Sequence, residues 1–302
     1  MKKEPIRHHY IPQFILRNFC FDDSGNTFYK DKKSKKESVK QVRDIFMEKN
    51  LYRDTINNDN PVKIEEDFAR FESEAACIIK EKFLKAEEFV LTPPENEKLK
   101  LFFALMSFRS KSTHELFKKK LTKESKNFYI NWQRNKNFED FWKRNLAGLV
   151  KCRSLNDVIN NTEIDDPVKV FITRDTFGFF GKYFCIVEPR TIGEFVLGDC
   201  YPVAFKGLIK PPIGKIIELG IFDIYPLSPT RAILFANVGS KKTDRTILQL
   251  RPLILNEPTN INNNLLFCVK KIYLEEVELI NKMVNEEAKE GVIYKKETKL
   301  FN

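Results

Sequence analysis

Two charged residues stand where the pattern around them calls for apolar ones. Glu72 lies four residues after Phe68, three before Ala75 and seven before Ile79. On a helix those positions share a face, so a carboxylate falls in, or at the edge of, an apolar stripe. Arg109 repeats the anomaly, three residues after Met106 and seven after Phe102. Buried charges are costly unless they pair or bind an ion. Either Glu72 and Arg109, on consecutive predicted helices, pair with each other, or both face a polar cleft with further ligands. His8 and His9 make up two of the three histidines. Histidine serves as metal ligand, general base or pH switch, and its plainer role is a buried, hydrogen-bonded ring. Neighbours in an extended chain point to opposite sides, so one of the two is expected to reach any given site. Asp199, in Gly198-Asp199-Cys200-Tyr201-Pro202, follows a predicted strand. An Asp beside Gly either shapes a turn through its own side chain or is a catalytic or metal carboxylate at a strand end. His114 is expected in an exposed, charged turn and is given no role.

The elements that must position these residues read as α+β: a helix-rich middle region packed with an antiparallel or mixed β-rich segment, and a helical C-terminus. A single domain over residues 1–302 is expected, with sub-regions 1–60, 61–163, 164–240 and 258–290. Pro12 suits the first turn of a short helix. Residues 27–30 and 38–42 suggest a hairpin, and residues 44–52 a connection. Apolar residues recur at three and four from Val62 to about Ala86. Thr92-Pro93-Pro94-Glu95 opens a second helix, predicted to run over 94–117. Further helices are predicted at 127–150 and 155–160. Strands are predicted at 168–173, 182–188, 193–197, 203–206, 216–227 and 232–237, where Val, Ile, Phe and Tyr are frequent. Residues 260–273 and 275–289 are predicted to return to helix.

Composition bounds the function classes. With 42% apolar and 31% charged residues in 302, the chain is globular and long enough to bury a sizeable core. The longest apolar run spans residues 101–106, far short of the roughly 20 residues of a bilayer span. No apolar stretch follows the charged N-terminus, so a signal peptide is not expected. No membrane partner and a cytoplasmic location are expected. The six cysteines form no CxxC pair and are read as buried thiols in a reducing compartment. Net charge is +10, which favours anionic partners. Seven basic residues against two acidic ones lie between Lys30 and Arg43, so Lys30, Lys32, Lys33, Lys35 and Lys36 are candidate phosphate contacts. Residues 118–126 are a second basic segment. No Walker A loop, GxGxxG, GxSxG or HExxH is present, which disfavours most NTPases, dinucleotide dehydrogenases, α/β-hydrolases and zincin proteases.

The stretch His8-His9-Tyr10-Ile11-Pro12-Gln13-Phe14-Ile15-Leu16-Arg17-Asn18-Phe19 resembles the opening HHYVPRFYLRNF of the family known as domain of unknown function 4238. Four later stretches are similar to that family's in the same order: Phe71-Glu72, Ser107-Phe108-Arg109-Ser110, Gly198 to Val203, and Tyr225-Pro226-Leu227-Ser228-Pro229. Residues 262–273 resemble its late helix. The similarity covers roughly residues 6–275. The chain departs from the pattern before Arg109, where Met or Ser replaces a Gln. It departs again after Asp199, where one extra residue precedes Pro202. The resemblance implies an extent of fold and a set of site positions, His8, His9, Glu72, Arg109 and Asp199, and leaves the reaction open.

A His, two carboxylates and an Arg suit metal-assisted phosphodiester cleavage. Glu72 and Asp199, with His9, would hold Mg²⁺ or Mn²⁺. A His would activate water, and Arg109 would stabilise phosphate charge. The leading expectation is thus a metal-dependent nuclease, an accessory or defence protein of a prokaryote. One alternative is a non-catalytic nucleic-acid- or protein-binding module whose polar cluster is a buried network. Another is a small-molecule site in which Arg109 clamps a phosphate or carboxylate.

Overall fold

The computed structural model describes residues 7–53, 60–118, 138–209, 217–237 and 259–296. The N-terminal segment starts with β1 (Arg7–His9), which pairs antiparallel with β4 (Met47–Lys49), His9 opposite Met47. Between them lie α1 (Gln13–Arg17), entered from Pro12, and the antiparallel hairpin of β2 (Asn26–Asp31) and β3 (Glu37–Gln41). The hairpin follows the sequence expectation. The 44–52 connection contains β4, which was not anticipated.

The helical region follows as α2 (Lys63–Ile78), a wide π turn (Ile79–Phe83), β5 (Glu88–Leu91) and α3 (Pro93–Arg109). At the start of α3, Thr92 and Glu95 form a reciprocal capping box, satisfying donors the helix leaves open. The helix predicted over 94–117 is two helices. The chain breaks at Ser110 (φ −58°, ψ 149°) and resumes as α4 (Lys111–Lys118). Ser110 Oγ accepts from the Thr113 amide at 3.2 Å, the bond of an N-cap, and that cap starts the new helix. Then come α5 (Phe138–Leu149), α6 (Leu155–Asn160) with its Ser154–Asp157 capping box, and α7 (Asp166–Gly181). The predicted basic segment beyond Lys118 and the predicted helical residues before Phe138 lie outside the described residues.

α7 corrects the strand predicted at 168–173. Val, Ile and Thr are common there, but burial follows a period of four. Val168 and Ile172 are fully buried while Val170 is 62% exposed. A strand would have placed all three on one face. Packing of α7 against α3 overrides the weak β preference of branched residues.

The strand-rich part is built from β6 (Lys182–Pro189), β7 (Leu197–Gly198), β8 (Val203–Ile209), β9 (Ile217–Ser228) and β10 (Arg231–Asn237). Of the strand predicted at 193–197, only Leu197 is in a ladder. The helix predicted at 260–273 is instead β11 (Thr259–Ile261), β12 (Asn264–Cys268) and β13 (Lys270–Ile272). Asn262 and Asn263 both take positive φ, 50° and 66°. Two such residues make the two-residue turn whose twist suits a hairpin, and the turn decides the outcome. The predicted C-terminal helix is α8 (Leu274–Glu287), and an unanticipated β14 (Gly291–Tyr294) follows it.

The sheet β13-β6-β10-β9-β8 is antiparallel except for the parallel β13–β6 pair. A second sheet runs β3-β2-β14-β7, and a third β11-β12-β5. β14 therefore inserts a C-terminal strand between the N-terminal hairpin and β7. Gly291 makes this possible: a Cβ there would lie 2.3 Å from the Tyr29 ring. One cluster of buried side chains runs from Tyr10 to Ile293, and another packs α8 (Val277, Ile280, Val284) on Val187, Val203, Leu234 and Val292. The fold is α+β. Among the described residues no helix is long and apolar enough to cross a membrane. The cysteines are unpaired, Cys152 and Cys185 buried but Cys77 and Cys268 exposed, so only part of the set is buried as expected.

The burial period of α7 has a direct test. Ile172→Asp should cost about 3 kcal/mol or more by placing a charge in the core, and Val170→Asp should change stability by less than about 0.5 kcal/mol. Urea unfolding of both variants checks this. Equal losses would contradict the helical face.

Candidate functional site

Arg109 is the last residue of α3, a helix buried on nearly every side. Its guanidinium is 2% exposed and therefore needs partners for its donors. Nη1 bonds the Glu72 carboxylate of α2, Nη2 donates to the His9 carbonyl of β1, and Nε donates to the Tyr52 hydroxyl at 3.2 Å. The Phe68 ring lies 4.2 Å below the guanidinium carbon, with Tyr52 at 5.4 Å, close enough for cation–π attraction. Burial alone would lower the Arg109 pKa. Tyr52, Glu72 and Glu65 more than offset it and hold the pKa above its ordinary value. Of the two readings open in the sequence, the Glu72–Arg109 pair is the one observed.

Both candidate histidines are buried and point to opposite sides, as an extended chain requires. His8 Nδ1 accepts from the Tyr52 amide at 2.7 Å, and its ring stacks on Tyr52 at 5.5 Å and 9°. His9 Nε2 lies 3.2 Å from the Val42 carbonyl, which only accepts. The proton therefore belongs on Nε2, leaving Nδ1 to accept from the Gln13 amide at 3.2 Å. Arg17 Nη2 in turn donates to Gln13 Oε1 at 3.2 Å. Desolvation lowers the His9 pKa, with Arg109 acting in the same direction and the Val42 bond opposing. The stack continues from Tyr52 to Trp142 (5.9 Å) and from Trp142 to His114 (4.1 Å). His114 is 2% exposed in α4, a correction to the exposed turn expected of it. Once Ser110 restarts the helix, His114 faces α5.

Asp199 belongs to a different network. Its Oδ1 accepts from the backbone amides of Lys289, Glu290 and Gly291 at 2.8, 3.0 and 3.3 Å. These are the contacts of a carboxylate that shapes a turn. Burial raises its pKa, and the three amides oppose the shift. Glu290 connects this turn to the motif, because Tyr10 donates to Glu290 Oε2 at 3.1 Å and Lys111 pairs with Oε1. None of the hydrogen bonds of Asp199 reaches Glu72, His9 or Arg109. Among the described residues no three His, Cys, Asp or Glu side chains gather as an ion site. The expected set of Glu72, Asp199 and His9 is thus divided between separate partners.

The hairpin lysines also divide. Lys30 lies 3.7 Å from Glu37. Lys32 Nζ bonds the Asn285 carbonyl near the end of α8. Lys33, Lys35 and Lys36 are exposed.

Sequence reasoning missed Tyr52 and Glu65. Glu65 stands seven residues before Glu72, two turns back on the same face of α2, and that spacing was a usable signal. Its Oε2 is buried with no hydrogen-bond partner among the described residues. Burial raises its pKa to about 7, Arg109 opposing and Glu72 reinforcing. Two carboxylates thus flank one guanidinium, and the ionised Glu72 disfavours charge on Glu65.

A model of the family described as "Protein of unknown function (DUF4238)" matches residues 7–298. No curated protein and no solved structure matches the chain.

Removing Glu72 leaves Arg109 buried without its counter-ion, so Glu72→Ala should cost about 3–5 kcal/mol in urea unfolding. Glu72→Ala combined with Arg109→Met should be more stable than Glu72→Ala alone. If the double variant is the less stable, the pair is not what holds Arg109. Glu65 generates a pH signature. Its folded pKa lies above the unfolded value near 4.5, so its stabilising contribution is full below that value. The contribution is lost as pH rises through about 7. The melting temperature of the wild type should fall between pH 5 and pH 8, and Glu65→Gln should reduce that fall and melt higher at pH 8. Parallel pH curves for the two proteins would contradict the buried, protonated carboxyl.

Proposed function

The chain belongs to the DUF4238 family, and we propose that it is a non-catalytic nucleic-acid-binding protein. In this reading the Arg109 network is structural and the exposed end of the hairpin contacts phosphate. One observation carries it: Lys33, Lys35 and Lys36 are exposed at the end of β2–β3, while Glu72, Arg109, His8 and His9 bond to partners inside the fold. The hairpin is a firm support for such a contact, because β2 is flanked by β3 and β14. The net charge of +10 adds long-range attraction for a polyanion. Lysines contacting phosphate release counterions, so affinity falls steeply with salt and carries little sequence preference.

Retention of labelled single-stranded DNA, duplex DNA and structured RNA across a salt series tests this, with Mg²⁺, Mn²⁺ or EDTA present and products run on a gel. Changing Lys33, Lys35 and Lys36 to Gln should weaken binding and lower the salt slope by about 2–3, close to one unit per lost phosphate contact, with no cleavage in any arm. Unchanged binding after that substitution would overturn the hairpin contact. Cleavage that requires Mg²⁺ or Mn²⁺ and is lost in a folded Glu72→Gln protein would replace the reading with the metal-dependent nuclease.

A further inference from the structure

A cleft of about 420 Å³ opens between α1 and the base of the hairpin. That volume is within the range of small-molecule sites, roughly 300–1,000 Å³. Its lining brings together Gln13 and Arg17 from the motif helix, Asp23 and Ser24 from the turn before β2, Gln41 at the end of β3 and Arg43 in the 3-10 turn that follows it. The side chains of Asp23, Ser24 and Gln41 have no hydrogen-bond partner among the described residues. Arg17 bonds only Gln13 there, and the Arg43 guanidinium stands 3.8 Å from Asp44 and is exposed. Asp22 also borders the cleft, but Asn26 occupies its two oxygens, through the backbone amide at 2.8 Å and the side chain at 2.7 Å. The floor is oriented from beneath. Val42 fixes the His9 proton on Nε2, His9 Nδ1 takes one N–H of Gln13, and Arg17 takes its oxygen. Gln13 is left with one amide N–H to offer, in a direction set by the core.

The donor and acceptor set is specific in kind. Two guanidinium forks match the oxygens of a phosphate. A carboxylate that only accepts matches the hydroxyls of a sugar. Gln41, a carboxamide with donor and acceptor both open, matches the edge of a base, and the one open N–H of Gln13, beside Arg17, adds a donor for the phosphate. A bare anion would leave Asp23 facing it, and a neutral base would leave both arginines unused. We propose that this cleft binds a nucleoside monophosphate unit, its phosphate on Arg17, Arg43 and the open N–H of Gln13, its sugar at Asp23 and its base edge at Gln41. The unit is either a free nucleotide or the phosphorylated end of a strand, which share this chemistry. The inference stands apart from the hairpin contact, because none of the three exposed lysines borders the cleft.

Isothermal titration of the full chain with AMP, GMP, CMP and UMP tests it, beside adenosine, inorganic phosphate, and one oligonucleotide with and without its 5′-phosphate. At least one monophosphate should bind about tenfold or more tightly than adenosine or phosphate alone. Arg17→Gln and Arg43→Gln, both at exposed positions and checked for unchanged melting temperature, should each weaken that binding about tenfold. The Lys33, Lys35 and Lys36 to Gln protein should bind the mononucleotide as the wild type does, even if its retention of nucleic acid is lost. In the Lys33, Lys35 and Lys36 to Gln protein, tighter binding of the 5′-phosphorylated oligonucleotide than of both its unphosphorylated form and the free nucleotide identifies a strand end as the occupant, and tighter binding of the free nucleotide identifies a free nucleotide. Absence of binding by every monophosphate and by the 5′-phosphorylated strand, or binding unaltered in both arginine variants, overturns the proposal.

Discussion

A guanidinium that cannot reach water constrains everything packed around it. Arg109 ends an apolar helix, and its charge is stabilised only if partners arrive from elsewhere in the chain. They come from three places: a carboxylate on α2, a carbonyl on the first strand, and a hydroxyl from the segment after β4. The Tyr52 hydroxyl also donates to the same His9 carbonyl, at 3.3 Å. Four groups thus satisfy one another in a space closed by Phe68 and Trp142. Such a network is strong when complete and costly when any member is missing, so the N-terminal segment, α2 and α3 order together.

The same segment is tied down on its other side. Tyr10 reaches Glu290, and Glu290 belongs to the turn that Asp199 holds through three amides. Asn18, eight residues further on, donates to the Leu227 carbonyl at 2.7 Å, within the Pro226-Leu227-Ser228 stretch. Phe14 meets Phe102 at 6.0 Å. The N-terminal motif therefore acts as a hub whose groups take different partners, the His9 carbonyl and Phe14 toward the helices, Tyr10 and Asn18 toward the C-terminal and strand-rich parts. Its concentration of polar residues reflects how many separate carbonyls, amides and carboxylates one short segment must satisfy. Gln13 and Arg17 are the members left facing outward, and they line the cleft.

Where local pattern and long-range packing agree, the structure could be read in advance. The Thr92–Glu95 box, the 3–4 spacing of α2 and the β2–β3 hairpin are short-range features, and each appears where the residues place it. Where the two disagree, packing or a turn prevails. Val168, Val170 and Ile172 carry the composition of a strand, yet α3 offers a helical face and buries the first and third. Residues 260–273 lack a strong strand pattern, yet two asparagines in the left-handed region make a hairpin. β14 has four residues and no flanking signal of its own, and it exists because β2 and β7 both present an open edge to it.

From the sequence alone came the α+β class, the family resemblance, and the knowledge that Glu72 and Arg109 were charges on apolar faces that each required a partner. Those follow from periodicity and from the cost of burying charge, which are local or universal. Which partner each charge takes was decided only by the tertiary structure, because partners meet across 37 residues for Glu72 and Arg109 and 91 for Asp199 and Glu290. The division of Asp199 from the Arg109 network, the tethering of Lys32 to α8 and the cleft beneath Arg17 and Arg43 have the same origin. Hydrogen bonds and cavities depend on where side chains end in space, and spacing along a chain fixes that only within one helix or one turn.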